Sequence, residues 1–199
     1  MALVKYNNRS ILNVTALDSI ASGGMNLITT NTITSGVSSS SFTSSIDSTY
    51  DTYIFKFINI HPASTQKFQV NFRDGGSDFD ATKTTTHFGA YHRENGASSG
   101  LGYEDGRDLA QGTGYASISD DNNTDNDHAV NGEMFLFNPS STTFIKHFIA
   151  RTRVEATFTT DGFVAGYANV TAAIDGVDFK FASGNIDSGV IKMYGLSKS

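Results

Sequence analysis

The chain has 199 residues, of which 38% are hydrophobic and 17% charged, with no cysteine and a formal net charge of −6. This length fits one domain, or one domain with a short arm. The absence of cysteine excludes disulfides, thiolate metal sites and cysteine nucleophiles. An acidic balance without a run of lysine or arginine disfavours nucleic acid as a partner, and no segment approaches 18 uninterrupted apolar residues, so we expect no membrane span.

Residues 1–24 lack a regular pattern and are predicted to form an N-terminal arm, and residues 25–199 are predicted to form the folded domain. The segments Leu27–Thr34 and Val37–Phe42 are rich in serine and threonine and are predicted strands. In the next segment, YIFKFINI, alternation places Tyr53, Phe55 and Phe57 on one face of a strand. The other face receives the apolar residues Ile54, Ile58 and Ile60.

Alternation of period two recurs along the chain. In Lys67–Arg73, it places Phe68, Val70 and Phe72 on one face and polar side chains on the other. The same pattern predicts strands around Met134 and Leu136, around Val177, Phe179 and Phe181, and over Gly189–Tyr194.

The stretch from about 94 to 127 is rich in glycine and ends in the acidic run DDNNTDND, and we predict one long functional or interface loop there. The favoured interpretation of the acidic run is a solvated loop. The alternative is an irregular calcium site, since calcium prefers oxygen ligands, although the spacing fails the EF-hand register. The candidate ligands are Asp121, Asn123, Asp125 and Asp127.

The predicted strands are separated by turn signals, including Asp74-Gly75-Gly76 and Asp175-Gly176, and no window has helical periodicity. The pattern predicts an all-β fold, an antiparallel β-sandwich of jelly-roll type. Two segments are apolar on both faces: YIFKFINI, and TFIKHFIA, in which Phe144 and Phe148 oppose Ile145 and Ile149. A sandwich buries one face of each sheet, so the second face needs a long loop or a neighbouring subunit as its cover. The candidate core and interface residues are Tyr53, Phe55, Phe57, Phe144, Ile145, Phe148 and Ile149.

Catalytic signatures are weak. Ser98 in GASSG matches G-x-S-x-G, but a nucleophile elbow requires a strand, a sharp turn and a helix, and this match lies in a glycine-serine loop. Among the histidines, His87 and His92 would point to opposite faces of a strand, and His92 with Glu94 is too small a ligand set for a transition metal. We therefore expect that the protein is not an enzyme and that it holds no cofactor and no resident metal.

Four phrases carry a resemblance to known proteins. ALVKYNNRSI at residues 2–11, IDSTYDTYIFKFINIHP at 46–62, GEMFLFNPSS at 132–141 and SGNIDSGVIKMYG at 183–195 resemble small structural proteins of marine tailed phages, including cyanophages. The closing phrase is similar to the end of β-sandwich domains in phage fibres and head appendages. The resemblance implies a virion component, made in the cytoplasm of the bacterial host, that self-associates and attaches to other virion proteins.

Two functions from different classes follow. The first is a non-enzymatic virion protein, a capsid decoration, head fibre or tail appendage, that forms a homo-oligomer, with a trimer as the expected copy number. The second is a module of a tail fibre that binds a host receptor or a host-surface glycan through its long loop, because loops on a sandwich carry such sites. The loop candidates are Tyr91, His92, Tyr103, Glu104, Asp105 and Asp108. A depolymerase is a third, weaker possibility.

Overall fold

The computed structural model describes residues 24–155 and 157–197. Over these residues the chain forms thirteen β-strands and no helix. The first seven strands are β1 Met25–Ile33, β2 Ser40–Phe42, β3 Thr52–Pro62, β4 Gln66–Arg73, β5 Lys83–Arg93, β6 Ser99–Tyr103 and β7 Leu109–Gly112. The others are β8 Ala116–Asn122, β9 Val130–Phe137, β10 Lys146–Glu155, β11 Phe158–Ala168, β12 Gly176–Phe181 and β13 Ile186–Leu196. The predicted arm lies outside the described residues, except for Gly24.

The strands form two antiparallel sheets, which confirms the predicted all-β sandwich class. The larger sheet has nine strands in the order β1-β13-β3-β9-β10-β11-β5-β6, with β7 also paired to β5. The smaller sheet has four strands in the order β2-β12-β4-β8. No two strands of the smaller sheet are consecutive in the chain, so the chain crosses to the larger sheet after each of them.

Phenylalanine side chains form the centre of the core between the sheets. Phe68, Val70 and Phe72 of β4 are fully buried, and so are Met134 and Leu136 of β9, as the alternation predicted. Phe179 of β12 lies at the centre of an aromatic cluster, with ring centroids 5.1–6.1 Å from those of four neighbours. These neighbours are Phe42, Phe55, Phe57 and Phe68. Edge-to-face and offset pairs of this kind add to the free energy gained from area burial.

The prediction that Ile60 lies on the face opposite to Phe57 is wrong. Strand β3 contains a bulge: its register with β9 shifts between Phe57 and Ile60, and Asn59 has a positive φ of 51°. Gly189 on the neighbouring strand β13 has a φ of 134°, and a Cβ there would lie 2.7 Å from the carbonyl oxygen of Asn59. The extra residue reverses the alternation, so Ile58 is exposed and Ile60 is fully buried.

The prediction of one long loop at 94–127 is also wrong, because this stretch contains the three strands β6, β7 and β8. Strands β6 and β7 both pair with the outer edge of β5, at its two ends, whereas β8 joins the smaller sheet. Glycine-rich segments such as SGLGY lack the β-branched residues that signal a strand, but an edge strand needs only one hydrogen-bonded neighbour. The true connections are therefore short turns.

Two lysines lie in the core on the inner face of the larger sheet. Lys83 of β5 and Lys146 of β10 are the register partners of Ala168 on its two sides in β11, and both are fully buried. The Lys83 ammonium donates hydrogen bonds to the carbonyl oxygens of Ala81 and Gly114, at 2.8 and 2.7 Å. Burial lowers the pKa of Lys83 to about 8, partly offset by Asp80, and it also lowers the pKa of Lys146.

Candidate functional site

The outer face of the larger sheet carries exposed aromatic and aliphatic side chains, which we call the apolar patch. We define it as Phe88, Phe135, Ile149, Phe163 and Ala165. The pairing of adjacent strands makes the patch continuous, since Phe135 and Ala165 are both register partners of Ile149, and Phe163 is the partner of Phe88. Ile149 is 46% exposed, and the rings of Phe88 and Phe163 stack in parallel with centroids 5.1 Å apart.

A groove of about 320 Å³ lies along the apolar patch and is lined almost wholly by apolar atoms. Two ion pairs border it, where Glu133 and Arg151 are register partners on adjacent strands. Lys56 pairs with Glu133, and Arg151 makes two hydrogen bonds to Asp161 while its guanidinium lies 4.7 Å from the Phe163 ring centroid. The hydrogen bonds from Arg151 lower the pKa of Asp161. The border is therefore charged but balanced, in contrast to the net charge of the whole chain.

The seven predicted core and interface residues separate into three groups. Tyr53, Phe55, Phe57 and Phe148 are buried between the sheets. Ile149 belongs to the apolar patch. Phe144 and Ile145 precede β10, in the connection from β9, where the Phe144 side chain is 69% exposed. The sequence analysis did not single out Phe88 and Phe163 of the patch. They lie in the segments HFGAY and GFVAGY, in which small residues interrupt the alternation of apolar and polar positions.

A second site lies on the inner side of the same sheet, where β5 and β11 extend past the smaller sheet. We call it the hairpin cleft. It has a volume of about 270 Å³ and lies under the hairpin formed by β5 and β6. Tyr91 of β5 and Thr160 of β11 are register partners, and Phe158 begins β11 beside them. The lining residues are Tyr91, Arg93, Ser98, Glu104, Arg107, Asp120, Phe158 and Thr160.

The polar side of the hairpin cleft is an ion-pair network around Arg107. Arg107, in the connection from β6 to β7, bonds Asp120 of β8, and its Nη1 lies 3.2 Å from Glu104 and its Nη2 3.5 Å from Asp121. Both the Arg107 and the Asp120 side chains are mostly buried. Such pairs hold the turn after β6 against β8, so the network fixes the position of one wall of the cleft.

His87 lies behind this network. It is fully buried on the inner face of β5, and neither ring nitrogen has a hydrogen-bond partner among the described residues. Its Nε2 lies 3.9 Å from Oδ1 of Asp120. Burial lowers the pKa of His87, opposed by Asp120 and reinforced by Arg107. A neutral imidazole is therefore the form that this site favours.

The six predicted receptor-loop residues do not form one cluster. Tyr91 and Glu104 line the hairpin cleft. Tyr103 pairs with Phe88 in register, on the outer face, and its hydroxyl donates a 2.7 Å hydrogen bond to Asp108. His92 and Asp105 are exposed to solvent. The Arg107–Asp120 pair was missed because Arg107 lies in a turn and Asp120 in β8, and no sequence spacing relates them.

The calcium candidates are engaged in other contacts. Asp121 pairs with Arg107, and the side-chain oxygen of Asn123 accepts a hydrogen bond from the Asp125 amide and lies 2.6 Å from Nδ1 of His128. In the part of the chain that the structure describes, no three His, Asp or Glu side chains are grouped so that they could hold a metal ion. Ser98 lies in the turn between β5 and β6, and no helix follows it.

Within the described ranges, the chain contains no helix of the length and apolar character needed to cross a membrane. Comparisons of the sequence and the structure with protein-family models, curated proteins and solved structures give no match.

Proposed function

We propose that the protein is a non-enzymatic structural component of a phage particle, and that copies of it associate through the apolar patch. The observation that carries the proposal is the exposure of Phe88 and Ile149 beside the half-buried Phe135 and Phe163 in one contiguous area. Soluble monomers rarely expose contiguous apolar patches of more than a few hundred Å², and such patches mark interaction sites. The resemblance of the sequence to structural proteins of marine phages supports the virion as the location.

The charges around the apolar patch favour a second copy of this chain as the occupant. The chain carries a net charge of −6, so two copies repel each other on average. At the patch border the charges form the opposite pairs Lys56–Glu133 and Arg151–Asp161, so this repulsion is weakest there. Ionic strength screens the remaining charge within about 8 Å at physiological salt, which leaves apolar contact as the main driving force.

The copy number that we propose is three, and other virion proteins are proposed to bind surfaces outside the apolar patch. A trimer has a mass of about 64 kDa, three times the 21.4 kDa of the chain. In a cyclic trimer the patch of one copy contacts a different surface of the next, whereas a twofold dimer pairs patch with patch. Light scattering after size-exclusion chromatography distinguishes these states by mass.

The test is the substitution Ile149→Lys, which places a charge in the centre of the patch. We expect the wild-type protein to elute as an oligomer and the variant as a folded monomer of 21.4 kDa, because Ile149 is half exposed and contributes little to the fold. Phe144→Lys is the matched control, since Phe144 is exposed but lies outside the patch, and it should leave the mass unchanged. A wild-type monomer at high concentration, or dissociation by the control alone, would refute association through this patch.

A further inference from the structure

Two glycines lie on the inner face of the larger sheet between the hairpin cleft and His87. Gly89 of β5 and Gly162 of β11 are register partners on the inner face, between His87 and Tyr91. A Cβ on Gly89 would lie 3.3 Å from the carbonyl oxygen of Asp161, and one on Gly162 would lie 3.4 Å from Nε2 of His87. Protein atoms already approach both Cβ positions closely, and neither glycine lines the cleft.

One wall of the hairpin cleft is aromatic and held in place. The Tyr91 ring lies over Gly100, where a Cβ would come within 2.8 Å of Cε1 of Tyr91. It also meets the Phe158 ring edge-to-face, with centroids 6.3 Å apart. Tyr91 still leaves 41% of its surface exposed. Its position is thus set by protein contacts while part of its surface remains free to contact a ligand.

The polar wall carries as many positively charged as negatively charged side chains. Arg93 and Arg107 are opposed by Glu104 and Asp120 among the lining residues. Asp120 uses Oδ1 for Arg107, and its Oδ2 has no hydrogen-bond partner among the described residues. A balanced wall gives no net attraction to an ion, but it can accept hydrogen bonds from hydroxyl groups at carboxylates and donate to them from guanidinium groups.

His87 is fully buried behind the polar wall and does not line the cleft. Its two unpartnered ring nitrogens are fully buried, 3.9 Å behind the Asp120 carboxylate. Buried polar groups without partners are rare, because each costs the free energy of its desolvation. His87 therefore extends the polar character of this wall into the interior.

We propose that the hairpin cleft binds one neutral sugar ring, the terminal hexose of a glycan, by stacking it on Tyr91 and hydrogen bonding it to Glu104, Asp120 and Arg107. The ring has an apolar face for the aromatic wall and hydroxyl groups for the polar wall. The cleft volume admits one ring, at the lower limit of small-molecule sites. The cleft is on the opposite side of the sheet from the apolar patch, so this proposal does not depend on association between copies.

The experiment is saturation-transfer difference NMR on the full chain with the methyl glycosides of glucose, galactose and mannose, each at about 10 mM, which suits millimolar affinity. Methyl glucuronide and glucosamine serve as anionic and cationic probes. We expect transfer to at least one neutral glycoside and at least tenfold weaker transfer to both charged sugars. Absence of transfer to every neutral glycoside, or stronger transfer to a charged sugar, overturns the proposal.

Matched tyrosine variants locate the site. Tyr91→Ala should reduce the transfer at least tenfold, whereas Tyr103→Ala, on the outer face of the same hairpin, should leave it unchanged. Glu104→Gln keeps the shape of the polar wall and should weaken transfer by a smaller factor. Thermal unfolding confirms that each variant is folded. Equal loss in the two tyrosine variants, or no loss in Tyr91→Ala, overturns the assignment to the hairpin cleft.

Discussion

The two faces of the larger sheet differ, although the same strands form both. Strand β10 alternates without interruption between buried and exposed residues from Lys146 to Glu155. On its inner side Phe148 packs against Phe72, with ring centroids 5.0 Å apart, and on its outer side Ile149 meets solvent. Apolar character alone therefore does not assign a residue to the core. Phe148 contributes to folding, whereas Ile149 is free to contribute to association.

The largest effect that we expect comes from replacing one phenylalanine on each face of the larger sheet with alanine. Phe148→Ala should lower the free energy of unfolding by about 3–5 kcal/mol, because it removes a buried ring and leaves a cavity. Phe88→Ala should cost less than about 1 kcal/mol, because Phe88 is 43% exposed. Urea unfolding in an Ile149→Lys background measures both without a contribution from association. Equal costs would contradict the distinction between the faces.

Charge on the inner face gives the next effect. The folded pKa of Lys83, about 8, lies below its usual value of 10.5, so between these values the unfolded chain binds more protons than the folded chain. The free energy of unfolding should therefore rise with pH, by about 2 kcal/mol from pH 8 to 10 for Lys83. Lys83→Met should lose this part of the rise, while Lys146 retains its own. Denaturant unfolding at several pH values provides the measurement.

Lys192→Met on the outer face is the control for Lys83→Met, and it should keep the full rise. The series of pH values should end near pH 10, because Tyr115 begins to affect stability there. Burial and the hydrogen bond to Asp178 raise the pKa of Tyr115. Above its usual value of 10.0 the unfolded chain releases the tyrosine proton first, which lowers stability. An identical pH profile for Lys83→Met and the wild type would show that the buried ammonium does not titrate differently on folding.

The smallest effect is expected at His87, in acid. Burial lowers the pKa of His87 below its usual 6.5, so the unfolded chain takes up the proton first and stability falls as pH drops below that value. His87→Leu removes this dependence, and near pH 7.5 it should be neutral or slightly stabilising, because the ring nitrogens lack partners. His92→Leu, on the exposed face of the same strand, should follow the wild type. The urea midpoints of the wild type and the two variants at pH 7.5 and 5 test this expectation.

The sequence predicted the features that depend on local alternation. Phe68, Val70 and Phe72 face the core as expected, since an uninterrupted strand with one polar face has one consistent register. Ile60 was misplaced because the bulge at Asn59 depends on Gly189 in a strand far along the chain. Local pattern contains no information about a partner strand, so a bulge that reverses the alternation could not be predicted from it.

The two sites differ in the same respect. Of the five residues of the apolar patch, only Ile149 was predicted, because it lies in a segment that is apolar on both faces. The hairpin cleft was visible only in Tyr91 and Glu104. Its other components, the Arg107–Asp120 pair and the pairing of Tyr91 with Thr160, exist only after β5, β8 and β11 have been brought together. These are tertiary features, and no spacing along the chain predicts them.

The position of the last strand bears on when the protein can fold during synthesis. Strand β13 lies between β1 and β3, so β1 has no neighbour in its sheet until β13 has been made. A chain with such distant pairings closes long loops before it gains their contacts, and it folds slowly. We therefore expect the native state to form only after β13 has left the ribosome, and removal of β13 to leave β1 unpaired and an early strand edge open to aggregation.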